Sequence, residues 1–141
     1  LTKEEARRVA ELKPEADIEE LTTFMDLFSD LLYAVTSRDL TGALECGEMM
    51  AALESREKQK AFCNFAAVCI RKIFMIQQKL PQISGVSEDE NLFYEEMAAK
   101  CPKGFCMRSV ANIEKVVAMI DRNVNSKILF CDLVNRMFMN I

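Results

Sequence analysis

The chain contains no histidine. That removes the commonest general base and the usual partner of a serine or cysteine nucleophile. Its 4 glycines build no phosphate-cradling loop, since neither GxxxxGK(S/T) nor GxGxxG occurs. With only those glycines and 3 prolines, turns are scarce and cluster between helical patterns, which argues against an all-β chain. No apolar run approaches the ~18 residues of a membrane span. No signal-peptide pattern is read at the start, so a cytoplasmic protein with no membrane contact is expected.

What is present describes a globular helical protein. The 141 residues fit one domain, half of them hydrophobic and 28% charged. A chain of this size buries roughly two-thirds of its unfolded surface and needs no metal or disulfide staple. The net charge of −4 gives no reason to expect direct nucleic-acid contact. The first residue is Leu1, inside a helical pattern, which points to a piece of something longer. The 6 cysteines include Cys63, Cys69 and Cys131 within apolar runs, where Cys acts as a small hydrophobe; reduced thiols are expected.

Ser55–Ile76 organises the rest. After a charged start, Phe62, Phe65, Ala66, Cys69, Ile70, Ile73 and Phe74 recur at three- and four-residue steps, one apolar stripe of a helix. Its length of roughly 22 residues spans about 33 Å. Ser55 is placed to cap it, and Glu57 suits the positive end of its dipole.

Before it, Thr2 with Glu5 opens a short helix that Pro14 ends. Asp17 with Glu20 opens a stronger one, carrying Ile18, Leu21, Phe24, Met25, Phe28, Leu31, Leu32 and Val35 and ending near Ser37 and Arg38. Asp39 caps a third, to about Leu53, in which Gly42 and Gly47 allow close approach of a neighbouring helix. The short link at Glu54 and Ser55 predicts that the third helix and the central one lie nearly antiparallel. After it, Lys79–Ser87 reads as a loop, Ser87 with Glu90 as a capping box, and Cys101–Met107 as a break. Ser109 is expected to cap the next helix, with Val110, Ile113, Val117 and Ile120 inward. Asn123 and Asn125 read as turn or cap residues, and a last helix takes Ser126 to Asn140. The expectation is an all-α fold, a single bundle of about six to seven helices.

Local clusters give no catalytic set. Cys101 and Cys106 lack the spacing of a redox pair, and a metal site there needs two further ligands. They read as two loop thiols, one packed inward. The carboxylates Glu88, Asp89 and Glu90, and Glu95 with Glu96, suit helix starts. The 9 methionines read as core filling, with partner grooves as the alternative. No cofactor or metal is expected, and the chain is not expected to be an enzyme.

Two stretches carry a resemblance. Arg56-Glu57-Lys58-Gln59-Lys60, followed by Phe62, Ile70-Arg71 and Phe74-Met75, resembles the GREKQK helix start and IRENFM-like end of the C-terminal region of bacterial DNA polymerase III delta-prime subunits. Asp121-Arg122-Asn123-Val124-Asn125-Ser126-Lys127, then Ile128-Leu129-Phe130 and Asp132-Leu133, resembles that family's ending. Phe24-Met25-Asp26-Leu27 is similar to an early helix of it. Ser55 stands where the family tends to have Gly, and Lys72-Ile73 where Glu-Asn is usual. The resemblance implies the collar domain of a clamp loader, clamp-loader collar-like in fold. Such collars hold subunits in a ring that loads a sliding clamp on primed DNA. Residues 1–15 become a lead-in from a preceding module and 16–141 the collar. The implied partners are the other loader subunits, the ATPase tau/gamma type and delta.

An association domain needs apolar surface that its own bundle leaves uncovered. The last helix is apolar on more than one face. Leu129, Leu133 and Val134 are expected inward, and Phe130, Phe138, Met139 and Ile141 outward at a subunit interface. Arg71 and Lys72 join that interface as ion-pairing residues. The alternative is a free-standing helical adaptor or regulator binding a partner helix or peptide.

Overall fold

The computed structural model describes residues 15–79 and 88–141. The expected short helix and lead-in over residues 1–14, the loop over 80–87 and the Ser87 cap lie outside them. Among the described residues there are six helices and no strand: α1 (Glu15–Thr36), α2 (Leu40–Ala51), α3 (Arg56–Gln77), α4 (Glu88–Lys100), α5 (Phe105–Ile120) and α6 (Ser126–Met139). The fold is an all-α bundle.

Three helix starts are fixed by the polar side chains the sequence places there. The Asp39 carboxylate accepts from Gly42 N at 3.0 Å, Ser55 Oγ from Lys58 N at 3.1 Å, and Asn125 Oδ1 from Ile128 N at 3.2 Å. Each satisfies a backbone donor that the first helical turn leaves unpaired. Asn123 takes a left-handed φ of 55° in the α5–α6 turn, and Arg38 one of 60° after α1.

The start of α5 departs from the expectation. The helix begins at Phe105, four residues before Ser109, with Gly104 as N-cap at φ 88°. Glycine enters that region without steric cost, so the chain reverses in a few residues. Phe105 and Cys106 then become core, 0% and 1% exposed. Ser109 lies one turn inside the helix, fully buried, and its Oγ has no hydrogen-bond partner among the described residues. A buried hydroxyl without a partner costs about 1–3 kcal/mol. Ser109→Ala is therefore expected to raise stability by about 1 kcal/mol, read as a higher urea midpoint; a lower midpoint would mean the hydroxyl is satisfied in solution.

Packing order differs from chain order. α2 lies against α1 and α6, α6 against α5, α5 against α3, and α3 against α4. α2 and α3, although joined by a short link, touch only lightly. Their apolar faces turn to other partners: α2 presents Gly47 to Val134 and Phe130 on α6, while α3 packs mainly on α5. The middle is aromatic. Phe24 meets Phe62 edge-on at 5.4 Å between ring centres, Phe28 meets Phe65 at 6.4 Å, and Phe28 meets Phe93 at 6.1 Å. These contacts join α1 to α3 and α4 across the core, each pair contributing about 0.5–1.5 kcal/mol beyond its area. The inward stripe of α1 runs from Phe24 to Val35; Ile18 and Leu21, expected within it, are exposed on its first turns.

Candidate interaction surface

The two stretches that carry the resemblance, far apart in sequence, meet at one corner. Arg56 Nη2 donates to Asn123 Oδ1 at 3.0 Å, and Lys60 pairs with Asp121. Between them Gln59 is 5% exposed. Its Nε2 donates to Ala51 O at 3.2 Å, and its Oε1 accepts from Ser126 Oγ at 3.4 Å. One amide thus ties the end of α2, the first turn of α3 and the start of α6. The outer ion pair is largely solvated and contributes about 0–1 kcal/mol. The buried amide matters more, because losing it removes the donor to the part-buried Ala51 carbonyl.

The expected interface residues fall into three groups. Phe130 is corrected: it is 0% exposed and lies in the core, its backbone facing Gly47. The close approach of α2 draws that side of α6 inward, so Phe130 does not reach a neighbour. Phe138 and Ile141 are half-buried, Ile141 packed on the core, and Met139 stands out at 76% exposed. Arg71 and Lys72 are engaged within the chain. Arg71 pairs with Glu114 at 2.8 Å, and Lys72 Nζ lies 5.7 Å from the centre of the Tyr94 ring.

The thiols are inward. Cys46, Cys63, Cys69, Cys101 and Cys106 are buried, Cys131 is half-buried, and none of them is in a disulfide. Both Cys101 and Cys106 therefore pack inward, not one of the two; Cys101 lies in the α4–α5 link and Cys106 in the first turn of α5. Cys106 Sγ donates to Gln77 Oε1 at 3.6 Å, and Gln77 Nε2 donates to Ala98 O at 3.1 Å and Cys101 O at 3.0 Å. The hydrogen bond to Cys106, with burial, makes Cys101 hold its proton more tightly than an ordinary thiol. Burial pushes Cys63 up to about 12. Burial, with the Asp30, Glu45 and Asp39 carboxylates, pushes Cys46 up to about 11. These three thiols stay protonated near neutrality and are poor nucleophiles. Among the described residues no group of acidic, His or Cys side chains is placed to hold a metal ion. No described helix is long and apolar enough to cross a membrane.

A polar groove of about 630 Å³ lies between α5 and α6. Arg108, Asn112 and Lys115 line one wall; Asp132, Asn135, Arg136, Met139 and Asn140 line the other. Asp132 pairs with Arg136 at 2.8 Å. Arg108 and Lys115 have no ion pair among the described residues. Sequence reading passed over these cations because each wall supplies only part of the set. The available signal was the seven-residue step from Arg108 to Lys115, which keeps both on one helix face. No family model matches the chain, and no curated protein or solved structure compared with it does.

Proposed function

We propose that this chain is a collar-type association domain of a bacterial clamp-loader subunit, of the delta-prime kind, whose product is a docked neighbour and not a converted substrate. The observation that carries the reading is the corner where Arg56, Gln59 and Lys60 engage Asn123, Ser126 and Asp121. These are the residues of the two stretches resembling that family. Their joint role, locking the first turn of α3 onto the α5–α6 turn, is a reason for both stretches to occur in one chain. Exposed apolar side chains at Met139, Ile128 and Leu92 supply surface for neighbours of the tau/gamma and delta kinds. The cytoplasm is the compartment this role requires. The groove between α5 and α6 favours a second reading, an adaptor that holds a partner helix.

The test is to mix the chain with the ATPase and delta subunits of a bacterial loader and follow complex size. A larger complex is expected. Met139→Asp should weaken its formation by roughly tenfold, the cost of a contact residue of moderate importance, while the melting temperature of the chain alone stays nearly unchanged. No complex with intact subunits would sink the loader reading. An equal loss of folding and assembly in Met139→Asp would remove Met139 from the interface.

A further inference from the structure

α1 carries Glu15, Asp17, Glu19, Glu20, Asp26 and Asp30, and neither Lys nor Arg. Glu19, Asp26 and Asp30 are exposed, and none has an ion pair among the described residues. Glu19 and Asp26 are seven residues apart, so they share one helix face about 10.5 Å apart along its axis. Arg108 and Lys115 on α5 have the same spacing and are also exposed, with no ion pair among the described residues. α1 touches α2, α3, α4 and α6 but not α5. Among the described residues the acidic face and the cationic groove therefore do not meet within one chain, and both are exposed.

We infer that the α5–α6 groove takes α1 of a second copy of this chain, head to tail. Glu19 and Asp26 of one copy face Arg108 and Lys115 of the other in matched register. Asp30 extends the acidic stripe toward Arg136, which also pairs with Asp132, and Asn112 and Asn135 offer amides from the two walls. The contact is heterologous: each copy uses its α1 face and its groove on different neighbours, so growth beyond a dimer is open to it. Solvated charges set its strength, so salt weakens it. It needs nothing from the clamp-loader reading, only two faces of this chain.

The test is sedimentation velocity of the full chain with two charge-reversed variants, Glu19→Lys/Asp26→Lys and Arg108→Glu/Lys115→Glu. Far-ultraviolet dichroism first establishes that each is folded. The unaltered chain should self-associate with a strength that falls at least about tenfold from low to high salt. Each variant alone sets like charges against like and should be monomeric. An equimolar mixture of the two should associate again, because the reversed α1 of one matches the reversed groove of the other. An unaltered chain that stays monomeric at every concentration overturns the inference, as does association that neither variant disturbs. It is likewise overturned if the mixture fails to restore what each variant lost, or if the groove takes only an unrelated acidic peptide.

Discussion

Phe130→Ala is expected to lower the stability of the domain by about 3–5 kcal/mol, with a correspondingly lower urea midpoint. The ring is 0% exposed, and Phe130 sits beside Gly47, where α2 packs on α6. Truncation removes most of a buried aromatic ring and leaves a cavity that two closely packed helices fill only in part. Met139, nine residues on along the same helix, is the control. It is 76% exposed, so Met139→Ala should shift stability by no more than about 0.5 kcal/mol. Similar losses in the two variants, measured by urea unfolding with the slope unchanged, would mean that Phe130 does not occupy the core.

Gly47→Leu is expected to have the next largest effect, a loss of about 1–3 kcal/mol from overpacking. A Cβ on Gly47 would lie 3.2 Å from Val134 Cγ2 and 3.5 Å from the backbone oxygen of Phe130. That space is short for one carbon and has no room for the rest of a leucine. The helix gains up to about 1 kcal/mol when glycine is replaced by a better helix former, so Gly47→Ala should fall close to the parent. The order Gly, Ala, Leu therefore separates propensity from packing. A Leu variant as stable as the parent would show that α2 and α6 are spaced more widely than described here. Gly42 behaves differently, although the sequence presents the two glycines alike. A Cβ there would collide with the Asp39 carboxylate, so its missing side chain serves the cap of α2 and not the approach of a neighbour.

Local order was readable wherever one chemical signal acts over a few residues. Asp39, Ser55 and Asn125 cap helices because a short oxygen-bearing side chain beside unpaired amides suffices. The Phe62 to Ile73 stripe is inward because three- and four-residue steps put those side chains on one face. Where two signals competed, the reading failed. Ser109 looked like a cap, but burial of Phe105 and the left-handed turn at Gly104 begin the helix a turn sooner. Of the two thiols Cys101 and Cys106 only one was expected inward, but the same turn and Gln77 draw both inward and put Cys106 on α5.

The candidate surface was less legible. Met139 was expected outward and is exposed, whereas Phe130, expected beside it, is core. An apolar helix displays every hydrophobic side chain equally in sequence, and only its neighbours decide which remain uncovered. The Gln59 tie and the joining of Arg108 and Lys115 to Arg136 across the groove draw on elements distant in the chain; spacing announces only the seven-residue step from Arg108 to Lys115.

The amino-acid order by itself determined the helical class, most helix limits and the apolar side of the central helix, since periodicity, caps and glycine placement act within a few residues. The three-dimensional packing alone decided that α2 joins α6 and not α3, that two distant stretches lock together at Gln59, and which charges stay unpaired. Those outcomes depend on contacts between segments tens of residues apart, settled by shape and burial of the whole core.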